Sequence, residues 1–342
     1  MRTAKLLVVA AAVIGMAVTG SVPAQAWAPV PGTVQQEYVH SIKDNHPYYA
    51  ERLDNGNFLF GQVGYDDPAV VEVDARGSEV WRHDGVQPAS AVRLDNGNTL
   101  IADSGTPGFP FMPRVLEVDR QGQKVWEYQF NSMAQSPRYV QRLDNGNTLI
   151  TLPFQVIEVT PGKKVTWSYG SDHPLNPGDK DFLAYPMQAV RLGNGNTLVV
   201  DRGFGTGRVL EVSPAKNIVW QYGEIDSTGW PFGKPKVEDK EQEEGLTESE
   251  PLLAGPTAAK RLDDGSTLIT DLDAQRTLMV AAKGDLMEER SWADIIEPWP
   301  VWNNWYAAAG IDGSLLLTTT LSSYNSRVLV LDTGAKQKAK DI

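Results

Sequence analysis

Cysteine is absent from all 342 residues, which excludes structural disulfides, a lipid anchor on cysteine and thiol chemistry. Histidine is scarce: the four are His40, His46, His83 and His173. No HxH or HExxH spacing occurs among them, so no metal site is predicted. Positive charge is the minor sign, with 31 Lys and Arg against 43 Asp and Glu and a formal net charge of -12. Nucleic acid is therefore not an expected partner. Long apolar runs are missing as well, apart from Leu6 to Val18, which is short for a membrane span, and none is predicted. That run follows Arg2 and Lys5 and precedes Ala24-Gln25-Ala26, the pattern of a signal peptide over residues 1–26 with cleavage after about Ala26. The expectation is a periplasmic or secreted protein, whose formal charge becomes -14 once Arg2 and Lys5 are removed.

What the chain does contain is a repeat. Turn glycines Gly56, Gly97, Gly146, Gly195, Gly265 and Gly313 recur at spacings of 41, 49, 49, 70 and 48 residues. The copies read RLDNGNFLF, RLDNGNTLI twice, RLGNGNTLV, RLDDGSTLI and a worn GIDGSLLL. Each turn joins two short apolar runs, and VVEV, VLEV, VIEV and VLEV followed by EVW, KVW, VTW and IVW supply a third and fourth strand. Repeats of about 40 to 50 residues with four strands are the signature of propeller blades. The prediction is an all-β, six-bladed propeller of four-stranded antiparallel blades, a single domain over 27–342, monomeric and with no membrane span. The sixth copy runs out before its fourth strand, and Val34 to Val39 is predicted to supply it and close the ring. Residues 224–253 form an acidic insertion between the fourth and fifth copies, and 334–342 a short polar tail. The insertion reads as a solvated loop, or as a flap carrying Trp230-Pro231-Phe232.

The block RLDNGNTLIADSG…RVLEVDRQGQKVWEY resembles the repeats of bacterial arylsulfotransferase-type propellers and their PQQ-like or NHL-like relatives, over Tyr48 to Asp332. The resemblance implies the propeller fold and, in the sulfotransferases, a histidine nucleophile where the innermost strand enters ahead of an LxNGN turn. Here those positions are Pro47, Pro88, Pro137 and Pro186 with the residues after them; none is histidine, and His46 is the nearest. Quinone-dependent relatives are eight-bladed with a cysteine pair, and no cofactor is assigned to this chain.

Propeller topology puts the blade-to-blade connections and the loops between second and third strands on one funnel face, where ligand sites gather. Positions there that differ from copy to copy are the candidates for binding a small molecule or a protein: Tyr48, Tyr49, Arg138, Tyr139, Arg202, Trp302, Trp305 and Tyr306. Arg138 and Arg202 suit an anion, and the EPWPVWNNWY cluster suits a flat or sugar-like group or serves to wedge the ring. Catalytic candidates are His46, His83 and His173, assigned to funnel-side connections, with Arg138; a transferase or lyase would use them. Exposed loops tolerate histidine equally well. Features that recur from blade to blade read as scaffold: the tryptophans Trp81, Trp126, Trp167 and Trp220, the arginine before five of the turns, and, in three blades, the pairs Asp103 with Arg114, Asp201 with Arg208 and Asp271 with Arg276.

Overall fold

A computed structural model describes residues 34–40, 45–64, 67–74, 76–105, 112–203, 205–226, 252–291, 304–309, 314–322 and 325–332. The predicted signal peptide, most of the acidic insertion with Trp230 and Phe232, Trp302 and the polar tail lie outside the described residues. Strand β1 is Val34–His40. Blade 1 follows as β2 (Asn45–Arg52), β3 (Phe58–Gly64), β4 (Ala69–Val73) and β5 (Glu79–Asp84). Blade 2 is β6 (Pro88–Arg93), β7 (Thr99–Asp103), β8 (Arg114–Val118) and β9 (Lys124–Gln129). Blade 3 is β10 (Tyr139–Arg142), β11 (Thr148–Thr151), β12 (Gln155–Val159) and β13 (Val165–Gly170). Blade 4 is β14 (Pro186–Arg191), β15 (Thr197–Arg202), β16 (Gly207–Val212) and β17 (Ile218–Gly223). Blade 5 is β18 (Pro256–Arg261), β19 (Thr267–Asp271), β20 (Arg276–Val280) and β21 (Leu286–Ser291). The last strands are β22 (Asn304–Ala309), β23 (Ser314–Ser322) and β24 (Asn325–Asp332). The only regular element other than strand among the described residues is a 3-10 turn at Met133–Gln135.

The chain is a β-propeller with five blades where six were expected. The strand order overturns the expectation of six equivalent blades: five sheets are each four consecutive strands, whereas the remaining sheet runs β1-β24-β23-β22 and is assembled from both ends of the chain. That composite sheet is counted apart from the five. Within it β1 pairs antiparallel with β24, Val39 opposite Arg327, which is the pairing anticipated for Val34 to Val39. It touches blade 5 through β22 against β18 and blade 1 through β22 and β23 against β2.

The turns form for a local reason. In blade 2 the Leu94 amide bonds to the Asn98 carbonyl at 2.8 Å and the Gly97 amide to the Leu94 carbonyl at 2.8 Å, with Gly97 at φ +84. An L side chain resists that left-handed conformation, so glycine marks each turn. The second and third strands of the blades are almost wholly buried, while β5 and β9 are exposed or half-buried throughout. The apolar interior accordingly lies between blades: Leu59, Val70, Ala91, Ile101 and Leu116 share one cluster across blades 1 and 2. Burying each of these Leu, Val and Ile side chains contributes roughly 1.5 to 3 kcal/mol. Gly207 lets the next blade approach, because a Cβ there would lie 2.2 Å from the Pro256 Cδ.

A polar clasp joins successive blades. Arg93 reaches back to Glu72 at 2.7 Å, Arg142 to Glu117 at 2.7 Å, Arg191 to Glu158 at 2.8 Å and Arg261 to Glu211 at 2.7 Å. Each guanidinium lies 4.7 to 5.1 Å from the ring of Trp81, Trp126, Trp167 or Trp220 in the preceding blade. The side-chain amides of Asn57, Asn98, Asn147 and Asn196 donate to the same four carboxylates. The recurring arginines and tryptophans are therefore scaffold, half-buried at the blade junctions.

Candidate functional site

Each of the five blades has a proline at or within two residues of the start of its innermost strand, Pro47, Pro88, Pro137, Pro186 or Pro256, and carries its variable residues in the next few positions. Pro137 is buried, and the Arg138 amide bonds to the Thr151 carbonyl at 2.9 Å, which fixes the start of β10. Arg138 then projects into a cleft of about 290 Å³ where blades 1, 2 and 3 meet the connection into blade 4. Val63 and Ala89 form its apolar side, Gln87, Ser104 and Ser136 its polar side, and Tyr185 the wall beneath the arginine. The volume matches the small end of ligand pockets.

The polar wall is already committed. Gln87 is held in a pair of hydrogen bonds with Gly64, accepting from its amide at 3.1 Å and donating to its carbonyl at 2.6 Å. Ser104 donates to the Gln87 carbonyl at 3.0 Å, and Ser136 to the Ser104 carbonyl at 3.1 Å. The Arg138 guanidinium, in contrast, stacks with its Cζ 3.4 Å from the centroid of the Tyr185 ring and touches the Met187 sulfur at 3.9 Å. Among the described residues no carboxylate pairs with it. A cation held flat on a ring, its charge uncompensated, is suited to an anion.

Below the funnel the axis is crossed by a belt of side chains. Tyr49 of blade 1 and Tyr139 of blade 3 approach to 6.3 Å between ring centroids, although blade 2 stands between them in the ring, so both point inward. Tyr139 hydrogen-bonds Tyr49 and Gln188. Burial, with the charge of Glu51 adding to it, pushes the Tyr139 phenol up to about 12. The Gln188 carbonyl oxygen in turn accepts from the Ala259 amide at 2.9 Å. Glu51, two residues on from Tyr49, accepts from the Arg93 amide at 3.3 Å. Gln188 belongs to the varying second position after the proline that the sequence marks out, whereas Glu51 and Gln141 were missed; their signal was the variability of the fourth position.

The other candidates are spread out. Arg202 is engaged by both oxygens of Asp273 at 2.7 Å, an ion pair between blades 4 and 5. His83 does not lie in a connection: it sits in the outer strand β5, stacked 6.3 Å from Trp81. Trp126 with Tyr128 and Trp167 with Tyr169 repeat that pair, so His83 occupies the blade's recurrent aromatic seat. Burial lowers its pKa, opposed by Asp84 and assisted by Arg114. His173 is exposed in the connection after β13, 2.8 Å from Asp172. Neither lines the Arg138 cleft. His46 and Tyr48 fall in β2 and Trp305 and Tyr306 in β22, with their side chains outside the description. The three Asp–Arg staples are present at 2.8, 3.0 and 3.1 Å, their carboxylates also accepting loop amides. Among the described residues no group of three acidic or histidine side chains can hold a metal, and no helix is long and apolar enough to cross a membrane.

No family model and no curated protein matches the chain. Among solved structures it is similar to a streptogramin B lyase, with TM-score 0.54 and 11% identity over 86% of this chain and 98% of that one. A catalytically inactive virginiamycin B lyase from Staphylococcus aureus with quinupristin gives TM-score 0.54 and 10% identity, over 86% of this chain and 100% of that one. At such identity the likeness establishes the β-propeller fold and nothing of the chemistry. The arylsulfotransferase-type resemblance of the repeats rests on the sequence alone.

Proposed function

We propose that this chain is an exported β-propeller that binds a small ligand through an anionic group, a carboxylate, sulfate or phosphate, at the Arg138 cleft on its loop face. The observation that carries the reading is the Arg138 guanidinium, stacked on Tyr185 with no carboxylate partner among the described residues, beside polar groups that are already satisfied. Tyr48, Trp302, Trp305 and Tyr306 belong to the same reading as further contacts for the body of the ligand, and the Leu6 to Val18 run with Ala24-Gln25-Ala26 carries the export. A transferase or lyase acting through His46, His83 or His173 has no comparable observation behind it.

The test is titration calorimetry of the chain and Arg138→Gln against a panel of aryl carboxylates, aryl sulfates and aryl phosphates. A hydrogen bond to a charged group contributes about 1.5 to 3 kcal/mol, so the substitution is expected to weaken the bound member of the panel by about tenfold or more. Equal affinity for both proteins would remove the reading.

A further inference from the structure

We propose that the axial channel holds a second site, for a protonated amine, formed by the Glu51 carboxylate together with the Tyr49 and Tyr139 rings. The site is independent of the Arg138 cleft and carries the opposite charge.

The geometry begins with the innermost strands. In blades 1 and 3 the second position after the entering proline faces the axis, where Tyr49 and Tyr139 meet, and Glu51, at the fourth position of blade 1, lies close enough to Tyr139 to act on its phenol. Glu51 and Tyr139 are both deep in the molecule, yet each keeps part of its surface open, as a channel lining does.

The neighbouring blades show what this seat needs structurally. Gln141 occupies the Glu51 position in blade 3 and accepts the Arg191 amide at 2.7 Å, the same bond that Glu51 makes to the Arg93 amide at 3.3 Å. A neutral amide therefore completes the scaffold, and the charge at position 51 is surplus to it. The other Glu51 oxygen has no hydrogen bond among the described residues. Enclosing a carboxylate with so little compensation is costly, and burial pushes it up to about 7, against the Arg93 backbone bond and charge and with Asp54 adding to the rise. The ionisable groups that act on it are Arg93 on β6, Asp54 in the turn after β2 and Tyr139 on β10; β14 contributes the neutral Gln188, and Lys260, which holds the equivalent position on β18, is not among the charges that shift Glu51. An ammonium group offers what is missing: a positive charge, donors for the open oxygen and a cation for the two tyrosine faces.

The experiment follows thermal unfolding of the full chain, with methylammonium chloride compared with sodium chloride at equal ionic strength, at pH 5 and pH 8. Wild type is expected to be stabilised by methylammonium over sodium at pH 8. The apparent affinity should fall by about a hundredfold at pH 5, two units below the Glu51 pKa, because the proton competes for the carboxylate. Glu51→Gln, which retains the acceptor for Arg93, should lose the methylammonium response and unfold at a higher temperature than wild type at pH 8. Tyr139→Phe serves as a second probe: it keeps the ring and should keep the response. Arg138→Gln should leave the response intact, which separates this proposal from the anion site. No methylammonium effect beyond that of sodium in wild type, or an equal effect in Glu51→Gln, overturns it.

Discussion

The junctions between the five blades and the junctions around the composite sheet are built differently. Four successive junctions carry the same quartet: an arginine from the later blade on a glutamate, a tryptophan and an asparagine of the earlier one. In blade 5 the quartet disappears as a unit. Register puts Met279 at the glutamate seat, Glu288 at the tryptophan seat and Ser266 at the asparagine seat, while Ala309 of β22 stands where the arginine would be. On the other side of the composite sheet Arg52 is kept, but the glutamate seat is Val330. The fade begins one blade earlier. Trp81, Trp126 and Trp167 donate to backbone carbonyls of the following blade, whereas the Trp220 indole N–H is buried without a partner. A clasp is useful only when all its members are present, since a lone buried arginine or glutamate costs more than the complete pair returns. Its joint loss sets the composite sheet apart, and agrees with the assembly of that sheet from the two ends of the chain.

A glutamate in the middle of the clasped series is the costliest to remove. Glu158→Ala removes a carboxylate that binds Arg191 at 2.8 Å and Asn147 at 2.6 Å, leaving a mostly buried guanidinium unpaired. The expected loss is about 3 kcal/mol by chemical denaturation. Met279→Leu, a volume-conserving change at the equivalent seat of blade 5, is expected to stay within about 1.5 kcal/mol. Equal losses at the two seats would mean the clasp adds nothing beyond packing.

The sequence made some of this legible and hid the rest for physical reasons. Turns and strands were readable because their causes are local: Asp-Asn-Gly-Asn closes its own hydrogen bonds, as at Asn96 and Asn98, where the Asn96 side chain accepts the Asn98 amide at 2.9 Å. The pairing of β1 with β24 was readable because the last copy lacked a strand and Val34 to Val39 matched it. The clasp was not, since Arg261 and Glu211 are 50 positions apart and their recurrence says scaffold without naming the partner. Arg202 read as an open cation for the same reason, its partner Asp273 being 71 positions away. His83 was misplaced in a loop although the motif Trp-x-aromatic put it in line with Tyr128 and Tyr169. The blade count failed at the worn sixth copy, where turn and clasp are both degraded. At the site, Arg138 was legible through its lack of a counterpart, but Tyr185, which supports it, lies in a connection that carries no repeat signal.

The clasp can also be built into the seam that lacks it. Ser266→Asn, Met279→Glu, Glu288→Trp and Ala309→Arg together transplant the quartet onto the junction between blade 5 and β22, in the register that pairs Arg261 with Thr267 and Ala309 with Leu315. The four changes combined are expected to raise stability by about 1 to 2 kcal/mol, whereas Met279→Glu alone should lower it by burying an unpaired carboxylate. A quadruple variant no more stable than the sum of its single changes would show that the seam geometry, and not its side chains, excludes a clasp.

The smallest expected effect is the pH dependence of one clasp. Burial works to raise the Glu72 carboxyl, but hydrogen bonds from Asn57 and Arg120 and the charges of Arg93 and Arg120 outweigh it and hold the group below its ordinary value of 4.5. A carboxyl whose pKa is lower folded than unfolded contributes stability above the unfolded value, and that contribution is lost as pH falls through the folded one. Glu51, in the same blade, has the opposite sign: raised to about 7, it lowers stability progressively as pH climbs from its ordinary value of 4.5 to about 7. Comparing melting temperatures of wild type, Glu72→Gln and Glu51→Gln separates the two. The difference between wild type and Glu72→Gln should shrink by a degree or two below about pH 4.5, since the wild-type carboxyl then takes up a proton and no longer offers a charge to Arg93 and Arg120. The difference between wild type and Glu51→Gln should open above that pH, in favour of the variant. A Glu72 variant whose deficit is the same at pH 3 and pH 7 would show that its role is packing and hydrogen bonding, with no charge in the clasp at that junction.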